Sequence, residues 1–255
     1  MGASTGESIG ELDRLKRQPD KEKLTGDIMK YTTLLFDVDN TLLDFDANEE
    51  ESFRSMMLEL GETYTDEWYQ TYKRINTRLW KRMEKKELSI EEVVNNRFAI
   101  FMRHYGREVD GQQWEKVYRR YLNRGIQQIP HVHQVLSELK KSYRLYVITN
   151  GMEETQEFRM EHSGLNQYFL DYFISERIGA NKPSKEYFDY VKAHIADFQA
   201  SDTLVIGDSL TSDIKGGNDA GMDTCWFTKD QQAEPKEAVP TYIIHELPEI
   251  FSVLS

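Results

Sequence analysis

The chain has 255 residues, 39% of them hydrophobic and 30% charged, with a formal net charge of −12. That length suits one large α/β domain or a core carrying a smaller one, and the acidity argues against a general affinity for nucleic-acid polymers or anionic membranes. The lone Cys225 cannot form an intrachain disulfide, no apolar run reaches the ~18 residues of a membrane span, and the N-terminus lacks an apolar secretory segment. A cytoplasmic location is therefore expected.

Residues 1–28 are polar, charged and without apolar periodicity, so they are expected to form a leader outside the fold, flexible or added for expression. The apolar run at 31–36 reads as a strand and ends at Asp37. From 46 to 129 the pattern is helical. Ser89-Ile-Glu-Glu92 has the spacing of a capping box, and Asp110 is placed to cap a further helix carrying Trp114, Val117, Tyr118 and Tyr121. The many rings and arginines of this stretch, Trp80 and Arg97 among them, read chiefly as its own core. His131 and His133 have no third ligand at zinc spacing and read as surface or packing residues. A helix over 132–141 leads to a second apolar strand at 145–148, which ends at Thr149. Lys182-Pro183 sits in a loop before a helix that opens near Ser184. A third strand at 203–206 ends in Gly207-Asp208, followed by a helix near 212–220, a strand near 224–227, and a closing strand and helix between 242 and 254. Gly216, Gly217 and Gly221 read as a helix end and its turn.

Compact apolar strands alternating with helices predict a doubly wound, mainly parallel α/β sheet, covered on both faces. The core is expected at 29–45 and 130–255, with an inserted α-helical cap at 46–129. Ligands of such sheets bind beyond the carboxyl ends of the strands. Here three strands deliver Asp37, Thr149 and Asp208 to that rim.

Asp37-Val-Asp39-Asn40-Thr41 carries the strongest chemical signal. Two carboxylates two residues apart, on a chain that turns after a strand, can supply a nucleophile and a proton donor for phosphoryl transfer. A carboxylate attacking a phosphate asks for a hard cation between them, and Mg2+ suits oxygen ligands. A calcium loop does not fit, because Leu42 stands where its glycine belongs and Asn48 where its glutamate belongs. The N–H groups of Thr149-Asn150-Gly151 and the Thr149 hydroxyl suit phosphate oxygens near a helix N-terminus. Lys182 offers a cation to the same oxygens, Asp208 a further metal ligand, and Asp213 support from behind.

In this order, Asp-x-Asp-x-Thr, Thr-Asn, Lys-Pro and Gly-Asp-x-x-x-x-Asp resemble the four motifs of the haloacid dehalogenase superfamily, over roughly residues 31–230. The resemblance implies Asp37 as nucleophile and Asp39 as general acid/base. It also implies phosphate binding by Thr149 and Lys182, with Mg2+ held by the Asp37 side chain, the Asp39 carbonyl and Asp208. The helical insert would be the superfamily's cap. The second aspartate, Asp39, favours phosphate over halide chemistry. Asp-Asn-Thr-Leu-Leu-Asp and Ile-Thr-Asn-Gly resemble the superfamily's pyrimidine and noncanonical nucleotide 5′-nucleotidases. The expected partner is thus a small phosphorylated metabolite, a nucleoside 5′-monophosphate by first choice. Sugar-phosphate or phosphoglycolate hydrolysis, a phosphomutase and a noncatalytic phosphate-binding protein are the rivals.

Overall fold

A computed structural model describes residues 29–255, and the expected leader, 1–28, lies outside the described residues. Six strands form one sheet: β1 Thr33–Phe36, β2 Arg144–Thr149, β3 Asp171–Ile174, β4 Thr203–Gly207, β5 Asp223–Phe227 and β6 Tyr242–Ile244. All pair in parallel, in the order β3-β2-β1-β4-β5-β6. This is the doubly wound order, whose direction of winding reverses beside β1, between β2 and β4.

Alternation along each central strand splits the core into two layers. Leu34, Phe36, Leu145, Val147, Leu204 and Ile206 pack on one face, while Leu35, Tyr146, Ile148 and Val205 pack on the other. Both faces are buried, which explains why these strands read as unbroken apolar runs. Edge strand β3 has no counterpart in the sequence reading, because half of its four residues are not buried.

Four helices follow β1 in the chain and form the insert: α1 Phe45–Glu59, α2 Asp66–Glu84, α3 Ile90–His104 and α4 Gly111–Leu122. Each starts on a side-chain cap, at Asp44, Thr65, Ser89 and Asp110 respectively. The Ser89/Glu92 box closes in both directions. The helices share a core distinct from that of the sheet. Phe98 lies parallel to Tyr72 at 5.2 Å and edge-on to Tyr118 at 5.2 Å. Beneath them, Arg97 forms a two-point pair with Glu115 at 2.8 Å.

The remaining helices are α5 Val132–Leu139, α6 Glu153–His162, α7 Ser175–Ile178, α8 Lys185–His194, α9 Lys215–Asp219 and α10 Ile250–Leu254. A π-type turn, Leu210–Ile214, precedes α9. Gly216 and Gly217 lie inside α9 rather than at its end, and only Gly221 occupies a left-handed turn, at φ +78°. The reason is close packing. A Cβ on Gly216 would stand 2.2 Å from the Phe188 ring, and one on Gly217 would stand 2.6 Å from Thr224. Among the described residues, no helix is long and apolar enough to cross a membrane.

Truncating Phe98 to alanine removes the ring that joins α2, α3 and α4. It is expected to cost about 3–5 kcal/mol, read as a lowered urea midpoint. A cost near that of an exposed substitution would show that the ring does not hold the insert together.

Candidate active site

The site is built where the winding of the sheet reverses. Directly after β1 stands Asp37, whose N–H donates to the Ile206 carbonyl of β4 at 2.9 Å. The chain then curls back on itself, with Leu42 and Leu43 donating to the Val38 carbonyl at 2.9 and 3.0 Å. The turn needs a left-handed residue, and Asn40 supplies it at φ +59°. Asparagine tolerates that region better than most side chains, and its own Oδ1 accepts from the Asp46 N–H at 3.0 Å.

Lys182 reaches this turn from the loop before α8. Its ammonium is buried and donates to Asp37 Oδ1 at 2.7 Å, Asp213 Oδ1 at 2.6 Å and the Ile148 carbonyl at 3.0 Å. The loop is fixed by Asn150, whose amide accepts from the Lys182 N–H at 2.8 Å and donates to the Lys182 carbonyl at 2.9 Å. The Asn150 side chain is thereby committed to placing the lysine. Thr149 Oγ1 accepts from the Gly151 N–H at 3.0 Å and from Gln156 Nε2 at 2.9 Å. With both acceptor positions taken, its hydroxyl hydrogen is left to donate to a ligand.

The acids of the fourth motif lie opposite. Asp213 is fully buried, its Oδ2 accepting from the Ser209 N–H at 3.1 Å. The π-type turn brings it under Gly207, where a Cβ would meet Asp213 Oδ2 at 2.2 Å. Glycine there is a packing requirement. Among the described residues, the Asp208 carboxylate has no hydrogen-bond partner. One carboxylate oxygen from each of Asp37, Asp208 and Asp213 lies within 4.8 Å of the others.

Three carboxylates facing one lysine leave a surplus of negative charge. Burial pushes the Asp37 carboxyl up to about 7, with Lys182 opposing and Asp213 and Asp39 adding to the rise. Burial, then Asp37 and Asp213, push Asp208 well above its ordinary range. Burial works against the Lys182 ammonium, but Asp213 and Asp37 outweigh it and hold its pKa above the usual lysine value. The donor set is all oxygen, with one unpartnered carboxylate at the cleft, and this fits a hard divalent cation rather than zinc. The side-chain cluster contains Asp213 along with Asp37 and Asp208, whereas the Asp39 side chain turns elsewhere.

Asp39 accepts from Arg159 Nη1 at 2.6 Å and from Gln156 Nε2 at 2.7 Å. Both donors come from α6, and neither stands out in the sequence. They stand at ordinary helical spacing among polar neighbours, and only their burial distinguishes them. Above these groups lies a cleft of about 310 Å³ between sheet and insert. The insert contributes Phe45, Glu49, Asn76, Trp80 and Glu84 to its walls. Glu84 also accepts from the core's Thr211 at 2.9 Å. Such a volume admits a small metabolite.

Residues 34–227 match the family model described as haloacid dehalogenase-like hydrolase. A Bacillus subtilis protein named HAD-hydrolase YfnB is 44% identical, over 89% of this chain and 96% of its own length. Its crystal structure, described as bound to magnesium and as revealing interdomain movement, is similar with a TM-score of 0.85, covering 88% of this chain and 99% of that one. The pyrimidine 5′-nucleotidase PynA of Streptococcus pneumoniae is 38% identical, over 89% of this chain and 96% of its own. The pyrimidine 5′-nucleotidase YjjG of Escherichia coli is 29% identical, over 89% and 99% respectively.

The raised Asp37 has a measurable consequence. Between the ordinary value of 3.8 and about 7, the folded protein keeps a proton that the unfolded chain has released. The metal-free protein therefore loses stability as pH rises through that window. Binding a divalent cation needs the carboxylate, so a cation bound at this cluster would restore the loss at high pH. Millimolar Mg2+ is expected to raise the melting temperature at about pH 8 and to leave it nearly unchanged at about pH 5. Equal stabilisation at both would count against the acidic cluster as its site.

Proposed function

Since the chain belongs to the haloacid dehalogenase-like hydrolases, we propose that it is a Mg2+-dependent phosphatase of nucleoside 5′-monophosphates, pyrimidine nucleotides foremost. The observation that carries the chemistry is the Asp37 carboxylate, held by buried Lys182 beside Asp208 and Asp213 at the carboxyl end of β1. The substrate class is supported by two relatives named pyrimidine 5′-nucleotidases, each matched over 89% of the chain. Mg2+ is supported by the all-oxygen cluster and by the magnesium in the YfnB crystal structure.

The reaction runs in two displacements. Asp37 attacks phosphorus, the bond from phosphorus to the 5′-oxygen breaks, and the proton of Asp39 passes to that oxygen, so the nucleoside leaves as a neutral alcohol. Asp39, now ionised, takes a proton from the water that attacks the aspartyl phosphate. The bond from phosphorus to Asp37 breaks, and inorganic phosphate leaves with both carboxyls restored. Thr149 donates to a nonbridging oxygen, and Lys182 balances the charge that gathers around phosphorus. A divalent cation would be held by Asp37, Asp208 and the Asp39 carbonyl, with Asp213 behind them, and would supply charge neutralisation at the phosphate. Residues 46–129 act as the cap that walls the nucleoside side of the cleft.

Phosphate release should be measured over uridine, cytidine, thymidine, adenosine and guanosine 5′-monophosphates, glucose 6-phosphate and phosphoglycolate. The pyrimidine nucleotides are expected to give the highest kcat/KM, with EDTA abolishing turnover. Asp37→Asn is expected to lose more than about a thousandfold in kcat while staying folded. A sugar phosphate or phosphoglycolate leading the panel would move the substrate class. An active Asp37→Asn variant would remove the nucleophile.

A further inference from the structure

Asp39 is held by two donors of different kinds. Arg159 Nη1 donates to Oδ1 at 2.6 Å and Gln156 Nε2 to Oδ2 at 2.7 Å. The two donors stand three residues apart on α6, hence on one face of the helix. Gln156 also donates to Thr149 Oγ1 and accepts from Arg159 Nη1 at 3.2 Å. Arg159 Nε donates to the Gly125 carbonyl at 3.0 Å, on the chain returning from the insert. One connected set of hydrogen bonds thus joins Thr149, Gln156, Asp39, Arg159 and Gly125.

The arginine is an expensive occupant of its position. It is 0% exposed, and its Nη2 is buried with no partner. A buried cation with an unmet donor is a poor means of filling space against the Phe45 ring, which its guanidinium approaches at 5.6 Å. An apolar side chain would pack there without that penalty. What only arginine offers is a rigid fork that grips a carboxylate and a main-chain carbonyl at a fixed angle.

We propose that Arg159 and Gln156 are positioning residues for the acid/base carboxyl of Asp39. The inference rests on the reading of Asp39 as that acid/base. Arg159 fixes Oδ1 by a charge-assisted bond, which is the stronger of the two. Oδ2 is then the working oxygen, since its donor is a neutral amide that gives way to the leaving oxygen of a bound substrate. Through Gly125, the same fork sets Asp39 against the segment that carries the insert.

Leaving-group chemistry separates this role from a merely structural one. A nucleoside 5′-oxygen needs a proton as it departs, whereas p-nitrophenolate leaves as a stable anion. The ratio kcat/KM ends at formation of the aspartyl phosphate, so the later water step does not blur the comparison. Arg159→Met and Gln156→Leu should be compared with wild type on p-nitrophenyl phosphate and on the best alkyl phosphate of the panel, uridine 5′-monophosphate by expectation. For Arg159→Met, kcat/KM is expected to fall about a hundredfold on the nucleotide and less than tenfold on p-nitrophenyl phosphate. Gln156→Leu should show the same imbalance to a smaller degree, and Arg159→Lys should recover part of the loss. Equal losses on both substrates, or no loss, would overturn the proposal. Should Arg159→Met fail to fold, Gln156→Leu and Arg159→Lys carry the same comparison. Asp39→Asn distinguishes the two failures. If it discriminates between the substrates and the α6 variants do not, only the positioning role falls. If it does not discriminate, the acid/base reading falls first.

Discussion

The buried ammonium of Lys182 is the interaction on which the site depends. Asp37 and Asp213 arrive from β1 and from the turn after β4, and both are desolvated. Two ionised carboxylates brought together out of water would repel strongly, and a protein can hold them so only by protonating one or by supplying a counter-charge. Lys182 bonds both, at 2.7 and 2.6 Å, and takes the Ile148 carbonyl as its third acceptor. All three of its hydrogens are used, which is how a charged side chain becomes tolerable at 1% exposure. Asn150, in the motif that precedes it in sequence, places that lysine through two hydrogen bonds between its side chain and the lysine's main chain.

The topology explains why so few residues suffice. Because β1 lies between β2 and β4 in a parallel sheet, three strand ends meet at one rim. They bring the Asp37 carboxyl, the Thr149 hydroxyl and the Asp208 carboxylate within reach of one small ligand. The insert departs from the same rim directly after the Asp37–Leu43 turn and returns at Gly125. Its walls therefore stand over the chemistry without supplying any of the clustered acids.

Much of this was legible in the sequence, for identifiable reasons. β1, β2 and β4 are buried on both faces and so appear as apolar runs, and polar residues at their ends stand out by contrast. The caps at Ser89 and Asp110 are local chemistry and fold as they read. Asp37, Thr149, Lys182, Asp208 and Asp213 all line the cleft, as does Asp39. The less legible parts depend on tertiary contact. β3 is a four-residue edge strand with too little burial to leave a pattern. Gly216 and Gly217 look like helix breakers, yet they sit within α9 because Phe188 and Thr224 press against it. Gln156 and Arg159 look like an ordinary solvated helix face, and nothing in their spacing announces that α6 turns that face inward onto Asp39.

The two chain segments that join insert and core run side by side. Leu43 bridges to Gln128 across them in antiparallel fashion, and also to Asp39 within the turn itself. The aromatic core of the insert shares no residue with either layer of the sheet. This slender ribbon is accordingly the place where the molecule can bend with neither hydrophobic unit repacking. A flexure there would pull on the backbone beside Asp39, to which Leu43 bridges, before it reached Asp37. Opening and closing of the cleft would thus be registered first at the Asp39 carboxyl, while Asp37 stays anchored to β4 through its N–H.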